Sequence, residues 1–289
     1  MPGEVATKKR IAAEDKAKKY IYATAPPKYH ELIVPTFPLG CKRRIFDPDY
    51  LASLHSANLD LVAEGIQKID ASGIVSESGV RDDFDIIVLA TGFQVQNFLT
   101  PMEIVGKTGG TLESQWADGK GAQAYLGSFV HNFPNMAILF GPNTFPAHNS
   151  ALFTCEVQVE YVTKTLFKSL LSGRATVMEV RGDAESQFTD SIQGELKGSV
   201  FAAGCSNWYI NSAGHNSASW PGYASSFWWK TFFPRFTDYE FTDGDKNWFV
   251  KSAFASFVAT LRSRYTILLG LMLLLIRMSV GSRNEPIHV

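Results

Sequence analysis

The feature that most constrains this chain is the run Phe84-Asp-Ile-Ile-Val-Leu89, which passes straight into Ala90-Thr91-Gly92-Phe93. A short apolar run rich in β-branched residues predicts a strand buried on both faces, as in a parallel sheet. Ala90 and Gly92 carry almost no side chain, so the backbone there can approach a ligand closely. In open α/β sheets ligands lie beyond the carboxyl ends of the strands, which is where Ala90–Gly92 falls. An ordinary tight strand-to-loop turn has the same pattern, and the residues alone do not choose between the two.

The rest of the chain supplies the partners that such a strand needs. Residues 4–20 read as a polar helix that stops near Ala25-Pro26-Pro27. Residues 33–48, punctuated by Pro35, Pro38, Gly40 and Pro48, read as a structured loop, and Tyr50–His55 as a short helix. Leu59–Ala63 and Gly73–Glu77 read as strands, the second closing on a turn at Gly79. Met136–Phe140 has the same apolar character as 84–89 and ends at Gly141-Pro142. Ala151–Leu171 reads as a helix with Val159, Val162, Leu166 and Leu170 on one face and Gly173 beyond its end, followed by a strand at Ala175–Val180. Strand, loop, helix and strand in that order argue an α/β fold.

Composition narrows the function classes. With 45% hydrophobic and 19% charged residues the chain is globular, and a net charge of −1 gives it no electrostatic reason to bind nucleic acid. The first 44 residues hold ten Lys or Arg against four Asp or Glu, which fits a solvated helix face. Cys41, Cys155 and Cys205 are odd in number and far apart, which argues against a disulfide framework or a zinc site. The six histidines are scattered without metal-ligand spacing, so no metal is expected. Asp82 and Asp83 are adjacent, as in a solvated turn, and no G-x-S-x-G points to an α/β-hydrolase. The polar start MPGEVATKKR is no secretory signal, so the expected location is cytoplasmic, or membrane-associated on the cytoplasmic side, and not secreted. Tyr265–Ile276 is uncharged; at about 18 Å of helix it is short against roughly 30 Å of hydrocarbon. A short membrane anchor, a helix buried in the fold and a subunit contact are all open for it.

Several motifs in order carry a family resemblance. D-x-x-x-x-A-T-G-F, from Asp85 to Phe93, resembles the segment that joins the NADPH domain back to the FAD domain in class B flavoprotein monooxygenases, the Baeyer–Villiger and flavin-containing monooxygenases. Pro35-Thr-Phe-Pro38-Leu-Gly40-Cys41-Lys42-Arg43-Arg44, with Asp47 and Tyr50 beyond it, is similar to the family's FP.GCKR…D..Y stretch. Phe133-Pro134-Asn135 to Gly141-Pro142-Asn143 resembles its FPN…GPN segment, and His148-Asn149-Ser150 its GHNS, with Ala147 where Gly is usual. Cys205-Ser-Asn-Trp208-Tyr209 and Trp220-Pro221-Gly222 are similar to its late C.SWY…WPG region. The resemblance covers roughly residues 20–235.

The resemblance implies an incomplete flavoprotein with two dinucleotide-binding, Rossmann-like domains and a C-terminal hydrophobic helix. Residues 1–83 would be the remainder of the NADPH-binding domain and its linking loop, 84–250 the C-terminal part of the FAD-binding domain, and 251–289 a hydrophobic tail. It implies an FAD- and NADPH-dependent monooxygenase that inserts one oxygen from O₂ into a small organic molecule, a ketone in the Baeyer–Villiger case, with secondary metabolism as a family habit. Arg43 would be catalytic, a fixed positive charge that stabilises developing negative charge. Ala90, Thr91, Gly92, Gly141, Asn143, His148 and Asn149 would contact the cofactor.

Two phosphate-cradling glycine turns and the Phe-x-Gly-x-x-x-His segment between them are not found in these residues. Gly119-Lys-Gly121-Ala-Gln-Ala124 fits G-x-G-x-x-A only as text, because the polar stretch TLESQWADGK precedes it where a strand is needed. Three expectations follow: the sequence is a truncated form of a longer protein, a partner chain carries the missing half, or the chain is a non-catalytic pseudoenzyme or binding partner.

Overall fold

The computed structural model describes residues 4–205, 207–248, 250–251, 253–254, 257–258 and 264–281. Helix α1 (Glu4–Thr24) is built from Ala, Lys and Glu, all strong helix formers, with ion pairs one turn apart at Glu4–Lys8 (2.7 Å) and Arg10–Glu14 (2.5 Å). It runs to Thr24, just short of Pro26, and Pro27 opens a 3-10 turn that leads into α2 (His30–Ile33). With α3 (Tyr50–Ser53) these elements enclose a small core of Ala25, Tyr29, Leu51 and Leu54.

An antiparallel meander follows: β1 (Ile66–Ile69), β2 (Gly73–Ser76) and β3 (Arg81–Asp83). Two expectations fail here. The strand before β2 is Ile66–Ile69 and not Leu59–Ala63, because its register is set by pairing to β2, Lys68 opposite Val75 and Ile69 opposite Ile74. The run Phe84–Leu89 is neither a strand nor buried: Ile86 is 80% and Val88 83% exposed. A doubly buried strand needs a neighbour on each edge, and among the described residues no strand lies beside it. Met136–Phe140 likewise joins no ladder, although Ile138 is buried and donates its amide to Ser128 O at 2.8 Å.

The densest packing lies farther along. Helix α4 (Leu112–Asp118) is capped by Thr111, whose hydroxyl accepts from Ser114 N. It places Leu112 and Trp116 against Val130 and Phe133. The helix expected over 151–171 is present as α5 (Ala151–Val162), one π-turn (Thr163–Phe167) and α6 (Lys168–Leu171), capped at its start by Ser150. Gly173 ends it at φ +74. Strand β4 (Val177–Val180) pairs antiparallel with β5 (Tyr239–Thr242), and Tyr161, Leu166, Met178, Val180 and Tyr239 close the main core. Helix α7 (Gly182–Lys197) and helix α8 (Ala224–Phe232) add a second core through Ile192, Leu196, Trp220 and Phe227. Every named ladder among the described residues is antiparallel, so the mixed helix–sheet fold departs from the parallel sheet expected from the apolar runs.

Helix α9 (Arg264–Gly281) carries the apolar tail, and Leu268, Leu269 and Leu271–Ile276 are all exposed. No helix among the described residues is long and apolar enough to cross a membrane. Cys41 and Cys205 form a disulfide, with Cα atoms 6.3 Å apart, where the sequence argued against a disulfide framework. Spacing hid the pair: 164 residues separate its members, and only the fold brings them together.

Candidate cofactor site

The loop of residues 33–48 is anchored to α1, where Leu39 N donates to Glu14 Oε1 at 2.8 Å. It then presents three consecutive cations that point to different places. Lys42 lies 4.9 Å from the Phe37 ring and Arg44 5.4 Å from Phe46, both within the loop. Arg43 crosses to another part of the chain: its Nη1 donates to Ala147 O at 2.7 Å, and its guanidinium lies 5.6 Å from the Phe145 ring. A planar guanidinium suits such an aromatic face.

Phe145 is the hub of an aromatic cluster, 5.3 Å from Trp208 and 5.9 Å from Tyr209 between ring centres. Burial pushes the Tyr209 hydroxyl up, and the charge of Arg43 pulls it partly back. Gln96 donates its amide to Trp208 O at 2.5 Å, which ties the segment after Gly92 to the same cluster. A chain of contacts thus runs Arg43–Phe145–Trp208–Gln96. Ala90, Thr91 and Gly92 are exposed, and Gly92 has φ +81 with open space where a side chain would start. They make no direct contact with Arg43 among the described interactions.

The other predicted residues divide in two. Gly141 and Asn143 are internal. A Cβ on Gly141 would sit 2.4 Å from Gly127 O, so only glycine fits this close approach. Asn143 is buried, and its amide donates to Asn216 O at 2.7 Å and Ser219 O at 3.1 Å. Both build the loop behind the cluster. His148 and Asn149 are exposed at its rim. His148 Nε2 accepts from Ala224 N at 3.3 Å, at the start of α8, and Asn149 Oδ1 accepts from Ser150 N at 2.7 Å.

Three contributors escaped the sequence analysis. Gln158, fully buried on α5, accepts from Phe140 N at 2.7 Å and donates to Gly127 O at 3.0 Å and Ser128 Oγ at 2.8 Å. It fastens both turns that shape the Gly141–Asn143 corner. Gln96 carries no motif that marks it. The third is a second His-Asn-Ser, His215-Asn216-Ser217, buried behind the loop, where Ser217 O accepts from Asn143 N at 2.7 Å. Gly214 in front of it was the available signal. Burial lowers the His215 pKa, which favours a neutral ring. Gly119–Gly121 closes α4 and opens no helix, so it forms no phosphate cradle.

Known proteins resemble this chain in sequence and in fold. The chain is 32% identical over 203 residues to a Baeyer-Villiger monooxygenase of Pseudomonas aeruginosa, covering 70% of this chain and 38% of that one. It is 32% identical over 200 residues to an FAD-binding monooxygenase of Aspergillus niger, covering 68% and 32%. Among solved structures, a steroid monooxygenase bound to NADP matches with a TM-score of 0.69 at 28% identity, over 81% of this chain and 46% of that one. Cyclohexanone monooxygenase from Rhodococcus sp. Phi1 bound to NADP+ matches with a TM-score of 0.70 at 25% identity, over 83% and 46%. No family model matches. The chain spans less than half the length of these relatives. Over the residues that match, in sequence and in fold, this chain corresponds to part of a class B flavoprotein monooxygenase of the Baeyer–Villiger group.

Proposed function

We propose that this chain forms one wall of the flavin site in an FAD- and NADPH-dependent monooxygenase that adds one atom of O₂ to a small organic ketone. The observation that carries this reading is the placement of Arg43: of three adjacent cations it is the one turned out of its own loop, onto Phe145 and Ala147. A flavin ring needs an open surface with little side chain and a positive charge at its edge. The exposed Ala90–Gly92 turn and Arg43 fit that end of FAD. Its pyrophosphate needs a glycine turn at a helix N-terminus, and polypeptide outside these 289 residues supplies that. We assign residues 1–83 to the NADPH side and 84–250 to the FAD side, with 84–93 as the seam between them.

When bound, the flavin supplies the activation of oxygen. The chain's own residues do the rest. Arg43 holds a fixed charge where negative charge grows on the reacting oxygens, and it cannot lose its proton. The Ala147 carbonyl and the Phe145 face fix its direction. Phe145 and Trp208, backed by the buried Tyr209, form an aromatic wall beside it that offers apolar contact to a substrate. His148 and Asn149 border the rim.

The test joins this chain to a dinucleotide-binding half, expressed from the Pseudomonas aeruginosa relative. A panel of ketones is then offered under labelled oxygen. NADPH consumption that depends on the ketone, with one labelled oxygen in an ester product, is the expected result. Consumption that ignores every ketone in the panel defeats the reading.

We also propose that the tail rests on a membrane surface. The stretch Ile267–Ile276 of helix α9 is uncharged, and the charged residues within the helix or up to two positions from it, Arg262, Arg264, Arg277 and Arg283, are all basic. Recovery with sedimented anionic vesicles is expected to fall when residues 251–289 are removed, and equal recovery of both forms contradicts the proposal.

A further inference from the structure

The Cys41–Cys205 disulfide lies beside the candidate site, and no step of the reaction proposed above uses it. Cys41 stands two residues before Arg43, and Cys205 three before Trp208. The bond therefore joins the two strands of chain that bring the guanidinium and the aromatic cluster together. The contact around it is close. Gly40 has φ +97, and a Cβ there would sit 3.2 Å from Val200 Cγ1, so the turn at residues 38–41 lies directly on the 3-10 turn Val200–Ala202. Asn207 braces the other side, donating to Phe201 O at 3.2 Å and Cys205 O at 3.3 Å while its own oxygen receives Tyr209 N at 3.0 Å. Apart from the disulfide, the loop end that carries Arg43 meets this region, among the described residues, through the hydrogen bond from Arg43 to Ala147 O and the close approach of Gly40 to Val200. The third cysteine, Cys155, is unpaired on α5.

We propose that Cys41–Cys205 is a thiol-reversible brace that positions Arg43 against Phe145 and Ala147. As a role in the flavin site it rests on the function proposed above. Cys41 is fully buried and Cys205 only half-buried, so an attacking thiolate reaches the Cys205 sulfur first. A low-molecular-weight thiolate such as glutathione bonds to Cys205 Sγ. The protein S–S bond breaks, and its electron pair leaves on Cys41 Sγ, which takes up a proton. A second small thiolate then attacks the small thiol's sulfur in the mixed disulfide; that bond to Cys205 Sγ breaks, the small disulfide departs, and Cys205 Sγ takes the electron pair and a second proton. The protein pair gains two electrons and two protons, lost by the two small thiols. The reduced chain keeps its packing but releases the Arg43 loop.

The test needs no flavin, so it fails or succeeds independently of the proposed activity. The chain is purified without reductant, denatured and treated with a maleimide. One label, on Cys155, is expected, and three after reduction. Trypsin is then applied to the folded chain with and without glutathione, and cleavage after Lys42, Arg43 and Arg44 is followed by mass spectrometry beside cleavage after Lys230 and Lys251. A selective rise of at least about fivefold at 42–44 is expected, because loss of the brace lets this surface loop unfold locally into the protease. The double variant Cys41→Ser/Cys205→Ser should match the reduced chain without glutathione, and Cys155→Ser should match the braced one. Three labels without reduction overturn the proposal. So does a smaller rise at 42–44, or an equal rise at every site, which would mark a general structural role.

Discussion

Arg43 and Arg44 are the same residue in adjacent positions, and they differ only in what lies across from them. Arg44 covers Phe46 of its own loop, whereas Arg43 reaches Ala147. In the assembled enzyme, Arg43→Ala should lower the oxygenation rate by about 10²–10³-fold, the usual loss on removing a preorganised charge. Arg44→Ala should change it by less than about threefold, since an exposed charge contributes little; steady-state rates on one ketone compare them. A second residue sets a pH dependence. Glu185 is 2% exposed; burial pushes its pKa up from 4.5 to about 7, although His131 N donates to it at 2.6 Å and works the other way. The folded carboxyl therefore holds its proton more tightly than the unfolded one. The stability it contributes is complete below pH 4.5, falls as the pH rises towards 7, and is absent above that. Glu185→Gln should remove this slope, gaining on the order of 3 kcal/mol relative to the native chain between pH 4.5 and 8. Urea melts at both pH values measure it, and parallel slopes in the two proteins contradict it.

Between elements, the core is joined by polar groups as much as by apolar area. The Tyr161 and Tyr239 hydroxyls hydrogen-bond inside it, linking α5 to β5, and burial holds both protonated far above their usual range. Tyr161→Phe or Tyr239→Phe alone should cost about 1–3 kcal/mol by leaving one hydroxyl unpaired, and the double change should cost less than the sum. Additive losses in thermal melts would deny the pairing. Gln158→Leu should cost about 1–3 kcal/mol for each bond left unmade at Phe140 N and Gly127 O. Much of this level was legible in the chain. Ser150 as a cap, Gly173 as a stop, the long helix between them and the strand at Val177–Val180 follow from local chemistry. The apolar runs 84–89 and 136–140 were misread for one reason: period and β-branching say that a segment suits a sheet, not that a neighbour is present. The motif drew attention to Arg43, and its role at the flavin is part of the proposal. The brackets Gln96, Gln158 and Asn216 were not, because their partners lie 112, 31 and 73 residues away.

For the whole molecule, the exposed segment 84–93 is the main anomaly. Ile86, Val88, Leu89 and Phe93 are at least 70% exposed within one ten-residue stretch. Exposed apolar runs of this kind mark surfaces that another polypeptide covers. Ile86→Asp/Val88→Asp should therefore leave the melting of this chain nearly unchanged and abolish its assembly with a dinucleotide-binding half, as size-exclusion chromatography reports. Destabilisation of the isolated chain would mean that the segment packs internally. The direct measurement is flavin retention by the assembled halves after desalting, native beside Gly92→Val. The native assembly should keep about one FAD, and a branched side chain at the open turn should drive it out. An assembly that emerges without flavin, or a Gly92→Val protein that keeps as much, contradicts the placement of FAD against Ala90–Gly92.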